Sequence, residues 1–493
     1  MIQREPTATK QNVDTDTYAE VLQVEEPDLM ADATDSGAVM HRSLHEQPSR
    51  VVASEGLYLH LENGQKFLDA TGGAAVACLG HNNPIIKKAI MDQLDKVAYT
   101  GTIFYSTQAA EELCSLLIRG TNGVMNRAFI CSSGSEANEA AMKMARQYFV
   151  ELEGPETKRY RFISRQQSYH GTTLGSLGLG GHVLRRKIYE PMLSPSISRV
   201  SPCFAYRGKR NEEKVDDYVR RLAEELDAEF QRLGPETVCA FVAEPVVGAA
   251  LGCVPPVPGY FAAMKEVCER YGALFISDEV MSGMGRCGYL HAWQSPMVDV
   301  KPDLQTLGKG LSGGYQPVAA LLVSKKIVGV MTQGTGVFSH GQTYQAHPVG
   351  CAAAASVQKV IMQPGTMEQV RQLGNALEQG LKACLADKWY IGNIRGMGLF
   401  WGIEFVADKL TKEPFPPEMQ VAAGIHKLGM QEPHMISLYP GTGSVEGTRG
   451  DFVLLAPPYT STLQEIDLIV KTTVSVVTSF FEKEKLINSK HPQ

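Results

Sequence analysis

The chain has 493 residues, more than one hydrophobic core usually serves, so two or more packed units are expected. Apolar residues make up 44% and charged residues 20%, the composition of an ordinary globular protein. The 47 basic and 53 acidic residues leave a net charge of −6 with no long basic run, which argues against nucleic acid or an anionic membrane as the main partner.

The ten cysteines are scattered without a C-x-x-C pair, a pattern suited to a reducing compartment and to thiols used as small buried hydrophobes. No apolar stretch approaches the ~20 residues needed to span a bilayer. "MIQREPTATKQNVDTDTYAE" at the start has no apolar segment and carries early acids, so secretory and transit signals are not expected. The expectation is a cytoplasmic protein.

Residues 1–40 are polar, with mixed charge and little periodicity, and read as an extension. Residues 41–85 are assigned to the N-terminal part of a small domain. Within them "GLYLHLENGQKFLDATGG" alternates on both sides of Asn63-Gly64, which predicts a β-hairpin. Residues 86–350 read as a large domain. "RAFICSSG" leads into "SEANEAAMKMARQYFVEL", "TVCAFVAEPVVG" precedes "GYFAAMKEVCERYG", and "ALFISDEV" follows. Strand, helix, strand at this spacing predicts an α/β fold with a largely parallel sheet covered on both faces. Residues 351–493 read as the C-terminal part of the small domain, an α+β unit. There the amphipathic "MEQVRQLGNALEQGLKACLAD" precedes short strands such as "GLFWGIEFV" and "DFVLLAPP" and a closing helix.

The first strand-to-helix junction, "CSSGSEANEAA", sets Ser132, Ser133 and Ser135 around Gly134 where the helix begins. Free amides and the helix dipole make such a junction an anion site, and the same residues equally suit a simple helix cap. No G-x-x-x-x-G-K-[ST] occurs, so it is not a P-loop. "GSLGLGG" and "GMGLFWG" are glycine-rich, but neither opens a helix after a strand, so an NAD-linked dehydrogenase is disfavoured. "ALFISDEVMSGMGR" ends a buried strand with Asp278 and Glu279, which face opposite sides and cannot share one role. One of them lies where α/β folds bind ligands.

"RQQSYHGTTLGS" puts Tyr169 and His170 before a glycine, an aromatic able to lie on a planar ligand or to serve in the core. The twelve histidines form no H-E-x-x-H, and no metal site is expected. No G-x-S-x-G follows a strand, so a nucleophilic serine is not supported. "LGKGLSGG" sets Lys309 between two glycines, where an amine could cradle a phosphate, hold an ordinary surface charge or act as a nucleophile. A phosphate cradle, a flat aromatic, a carboxylate and a lysine are together the parts that pyridoxal phosphate needs.

Six stretches, in this order, carry a resemblance to a known family: "SSGSEANEAAMKMAR", "SYHGTT", "VAEPVVG", "ISDEVMSGMGRCG", "LGKGLSGGYQPVAA" and "HGQTYQAHPVGCAAA". From about residue 36 to about 480 the chain resembles the class III (ω-type) aminotransferases, pyridoxal 5'-phosphate enzymes of fold type I. The resemblance implies that Lys309 is the Schiff-base lysine and general base, and that Asp278 pairs with the pyridine nitrogen. It implies Val280 on one face of the ring and Tyr169 stacked on the other. Gly134 and Ser135 match the phosphate cup, and Glu244 matches a buried glutamate near the cofactor. Thr343 is similar to a phosphate contact donated by the neighbouring subunit, which implies a homodimer with shared active sites. The implied reaction is a ping-pong transfer of an amino group from an ω-amino acid or primary amine to a keto acid.

In ornithine-type relatives a glutamate follows the glycine of "EP-x-x-G" and gates an arginine in "RG-x-G". Here that arginine is Arg395, but the gating position is Ala249. The resemblance therefore favours the ω-amine and β-alanine group, and pyruvate over 2-oxoglutarate. Arg449, in "YPGTGSVEGTRGDFVLLAPP", resembles that group's mobile arginine. The alternatives are an aminomutase, racemase or decarboxylase on the same scaffold, or a catalytically silent scaffold protein. The presence of both Lys309 and Asp278 argues against the last.

Overall fold

The computed structural model describes residues 38–490, so the expected extension over 1–40 lies almost wholly outside the described residues. Residues 38–50 form a short stretch of bends without helix or strand. From Val51 onward the chain packs around three sheets.

The first sheet begins with β1 (Val51–Glu55), β2 (Tyr58–Leu61) and β3 (Lys66–Asp69), joined antiparallel. The β2–β3 hairpin is the one expected at Asn63-Gly64: Tyr58 faces Leu68, His60 faces Lys66, and Gly64 takes the φ of +83° that the turn requires.

The largest sheet holds seven strands: β4 (Met125–Cys131), β5 (Arg161–Arg165), β6 (Ile197–Val200), β7 (Val238–Ala243), β8 (Leu274–Asp278), β9 (Leu304–Leu307) and β10 (Ala319–Ser324). Their spatial order is β4-β10-β9-β8-β7-β5-β6, and only β10 runs antiparallel to its neighbours. This is the expected α/β fold, that of the fold type I enzymes. β7 and β8 are buried at every position, as continuous apolar strands covered on both faces should be.

The helix α1 (Gly134–Glu153) lays Ala137, Ala140, Ala141 and Ala145 against this sheet, small residues that let the helix come close. On another part of the sheet, α2 (Val215–Leu233) buries Tyr218, Leu222, Leu226 and Phe230 and packs beside α3 (Tyr260–Arg270). Each such side chain contributes about 1.5–3 kcal/mol by leaving water.

The remaining strands are β11 (Ile391–Met397), β12 (Phe400–Phe405), β13 (Ile436–Ser437), β14 (Tyr439–Val445) and β15 (Arg449–Leu455). β13 pairs parallel to β3, so residues from both ends of the chain complete one sheet. β11-β12-β15-β14 form the third sheet, antiparallel throughout.

One consequence of the strand directions matters most for chemistry. β4, β5, β7, β8 and β9 all end at the same edge of the large sheet. Ser133, Tyr169, Glu244, Asp278 and Lys309 each lie at, or within four residues after, one of those ends. Parallel sheets bind ligands at this edge.

Candidate active site

These strand ends open into a cavity of about 470 Å³ lined by Gly134, Ser135, Tyr169, Asp278, Val280 and Lys309, among others. Lys309 follows β9 in a single turn of 3-10 helix with φ +44°, the left-handed region that a side chain rarely adopts. Such a conformation costs on the order of 1–3 kcal/mol and persists only where the surroundings impose it. Burial holds the Lys309 amine below the ordinary lysine pKa; the charge of Arg185 adds to this, while Asp278 and Glu244 oppose it. An amine so placed gives up its proton readily and can attack a carbonyl.

Asp278 closes β8 with four donor groups around its oxygens. Its Oδ2 accepts from Nδ2 of Asn138 at 2.9 Å and from Nδ1 of His170 at 2.7 Å. Its Oδ1 accepts from the Val280 amide at 3.0 Å and from Oγ1 of Thr306 at 3.1 Å. Burial alone would raise its pKa, but the bond and charge of His170, the Val280 amide and Asn138 outweigh burial and hold the carboxyl below its usual range. Because an ionised carboxylate only accepts, it fixes the proton of His170 on Nδ1.

Glu244 follows β7. Its Oε1 accepts from the Tyr169 amide at 3.0 Å and its Oε2 from the Gly248 amide at 3.2 Å, so its partners here are backbone groups. Burial first, and then the charge of Asp278, pushes its pKa up. The guanidinium of Arg185 lies 4.6 Å from the centre of the Tyr169 ring.

At the other end of the cavity α1 begins. Ser133 caps it: Oγ accepts from the Glu136 amide at 3.2 Å, and Oε2 of Glu136 accepts from the Ser133 and Ser132 amides at 3.1 and 2.7 Å. The cap leaves the Gly134 and Ser135 amides, the first two of the helix, without intrahelical acceptors. Both readings of this junction thus coexist: side chains cap the helix, and an anion-binding terminus remains. A Cβ on Gly134 would sit 2.7 Å from Cγ1 of Val280, and one on Gly308 would sit 3.2 Å from it. Glycine at both positions makes room for Val280. Among the described residues, no group of three His, Cys, Asp or Glu could hold a metal ion.

The profile of the family Aminotransferase class-III matches residues 39–477. The chain belongs to the class III aminotransferases. An aminotransferase of Gibberella zeae is 48% identical over 442 residues, covering 90% of this chain and 86% of that one. The chloroplastic gamma aminobutyrate transaminase 3 of Solanum lycopersicum is 36% identical, covering 86% and 80%. Among solved structures, an (S)-enantioselective omega-transaminase from Thermomicrobium roseum superposes with a TM-score of 0.81 at 31% identity, covering 89% of this chain and 94% of that one.

The enzyme is a transaminase, and its cofactor is pyridoxal 5'-phosphate. The cavity fits that group. It offers an amine, a buried carboxylate, an aromatic ring, an aliphatic side chain and a helix terminus around one space. The carboxylate can also take one more donor. Oγ1 of Thr306 lies 3.2 Å from Oδ1 of Asn138 as well as 3.1 Å from Oδ1 of Asp278, and its single proton serves only one of them.

Lys309, Asp278, Gly134, Ser135, Tyr169, Val280 and Glu244 are thus brought together. Three expected residues are not in the lining. Thr343 is exposed and accepts from the Tyr99 hydroxyl through its carbonyl at 3.0 Å. Arg395, expected at the substrate, is buried elsewhere: its guanidinium donates to the Leu251 and Gly252 carbonyls, to Asn393 and to Glu404. Arg449 lines a second cavity of about 660 Å³, which Ala249 and Arg185 also line.

Sequence reasoning missed Asn138 and Thr306 and gave His170 no role. Asn138 had one signal available, an amide among the alanines of a helix face that packs on a sheet. Thr306 had none, since a threonine in a strand is unremarkable.

Proposed function

We propose that this aminotransferase moves an amino group from an ω-amino acid or primary amine to a keto acid, pyruvate in preference to 2-oxoglutarate, in two half-reactions of ping-pong order. The observation that carries the reading is the Lys309 amine, held below its ordinary pKa in the same cavity as the ionised Asp278. When bound, pyridoxal phosphate supplies an aldehyde that condenses with amines and a pyridinium ring that withdraws electrons.

In this reading Asp278, steadied by His170 and Asn138, would hold the proton on the pyridine nitrogen. Val280 and Tyr169 would bound the two faces of the ring, and the Gly134 and Ser135 amides would take the phosphate. Lys309 Nζ would hold the aldehyde carbon, and its free amine would take the proton from the donor carbon that bears nitrogen. The acceptor preference is supported by Ala249 at the gating position and by Arg395, whose guanidinium is already paired with Glu404.

The active enzyme is read as a homodimer in which the partner subunit's Thr343 completes the phosphate site. In its support, Ile103, Phe104 and Tyr105 are 89%, 80% and 66% exposed, an apolar run that water disfavours. Tyr99, close to that run, meets the ring of Tyr344 at 5.9 Å beside Thr343. The cytoplasmic reading is supported by ten free thiols, only Cys384 of them exposed. No helix among the described residues is long and apolar enough to cross a membrane.

The test is to add β-alanine to the purified holoenzyme, follow loss of the visible cofactor band, and then add pyruvate or 2-oxoglutarate. Recovery with pyruvate, faster than with 2-oxoglutarate, is expected. Turnover that needs no keto acid would instead point to an aminomutase, racemase or decarboxylase.

A further inference from the structure

Three arginines near the strand-end cavity or its neighbour are engaged by carboxylates or carbonyls. Arg186 donates to the Gly180 carbonyl at 3.1 Å and to Glu190 at 3.1 Å. Arg395 is fixed by Glu404 and two carbonyls. Arg449 pairs with Glu413 at 3.0 Å and with Glu446 at 3.7 Å. Arg185 differs: this half-buried residue has neither a hydrogen bond nor an ion pair among the described residues, only the Tyr169 ring 4.6 Å from its guanidinium carbon.

A guanidinium keeps its charge at any physiological pH, and partial burial without a counter-ion is unfavourable. Stacking on an aromatic ring recovers part of that cost and leaves the N–H groups, which lie in the plane of the cation, free at its rim. Arg185 lines the second cavity, about 660 Å³, together with His182, Ala249, Tyr439, Arg449 and Asp451. Among the described residues no lining group forms an ion pair with Arg185. Arg449 pairs with Glu413 instead, burial, followed by the charge of Arg185, pushes His182 down to about 4, so it is neutral, and the Asp451 carboxylate accepts from the Ala422 amide at 3.3 Å.

We propose that Arg185 binds the carboxylate of the amino donor, two parallel N–H groups to two oxygens, in the second cavity. This deepens the proposed transamination and rests on it. Its consequence is a substrate class. Arg185 lines the second cavity while Lys309 lines the first, and the Tyr169 ring on which Arg185 rests belongs to the first. The donor's carboxylate is therefore remote from its amine, as in an ω-amino acid. The carboxylate of an α-amino acid, one carbon from the nitrogen, stays in the first cavity, away from the residues that line the second.

The test uses the holoenzyme with Arg185→Gln and Arg185→Lys and two donors of matched length, 5-aminopentanoate and pentylamine. A charged bidentate contact predicts that Arg185→Gln raises KM for 5-aminopentanoate by about 10- to 100-fold, with kcat changed by less than about threefold. KM for pentylamine stays within about twofold, and Arg185→Lys recovers part of the loss. Pentanoate, titrated calorimetrically, binds the native enzyme and binds Arg185→Gln about tenfold or more weakly. Equal effects on the two donors, or unchanged pentanoate affinity, overturn the assignment. If the native enzyme turns over neither donor, the proposed transamination fails instead, and the pentanoate titration still decides the role of Arg185.

Discussion

Gly134→Ala tests how the helix terminus meets the cavity. The new Cβ would lie 2.7 Å from Cγ1 and 3.0 Å from Cγ2 of Val280, against about 3.5–4.0 Å for carbons at rest. Either Val280 or the start of α1 must therefore yield by about 0.5–1 Å, and overpacking of this kind costs about 1–3 kcal/mol. Val280 is itself packed close to Gly308, where an added Cβ would be only 3.2 Å from the same Cγ1. The displacement falls on the Gly134 and Ser135 amides, and the dissociation constant for pyridoxal phosphate should rise about five- to a hundredfold. Val280→Ala removes both methyl groups, leaving only its Cβ, at 3.4 Å. In a double-mutant cycle the pair should then show a coupling of about 1–2 kcal/mol in favour of the double variant. Cofactor affinity, measured by equilibrium dialysis on all four proteins, is the assay. Additive effects, or native affinity in Gly134→Ala, would refute the reasoning.

Three further outcomes follow from buried charge. Burial raises the Glu279 carboxyl to about 7 although the Ala292 and Trp293 amides donate to it at 2.6 and 3.0 Å. Between its ordinary value and about 7 the folded protein binds the extra proton, so stability falls as pH rises through that window, and Glu279→Gln should flatten the fall in urea midpoints between about pH 5 and pH 7.5. Glu404 lies between Arg395 and Arg207, so Glu404→Ala leaves one buried and one half-buried guanidinium without their carboxylate and should cost about 3–5 kcal/mol in denaturant titration. The folded pKa of Lys309 is depressed, so the unfolded chain binds the proton more readily and stability without cofactor rises with pH toward the ordinary lysine value. Lys309→Met should remove that slope and leave the cofactor-free protein more stable than the native one at neutral pH.

Much of this was legible in the sequence where a local pattern carries the information. Alternating and apolar runs, with Asn63-Gly64 between two of them, define the hairpin and the parallel strands, and the residues that follow strand ends name most of the cavity. What was not legible depends on contacts across long stretches of chain. Asn138 reaches Asp278 over 140 positions and His170 reaches it over 108, and neither side chain signals its partner locally. Arg395 shows the converse. A motif names the residue, but its direction is set by Glu404 across the β11–β12 hairpin and by carbonyls 143 and 144 positions away. Arg185 carries no motif, and only the absence of a partner for its charge among the described residues sets it apart from Arg186 beside it.

The central claim is that Lys309 carries the amine through which transfer occurs. The direct measurement is the visible absorption spectrum of holoenzyme and of Lys309→Ala, before and after β-alanine and then pyruvate. The account predicts a yellow band in the native protein that bleaches with the amine and returns with pyruvate, and no such resting band in Lys309→Ala supplied with pyridoxal phosphate. A native-like band in the variant, bleaching and returning at the native rate, would contradict it.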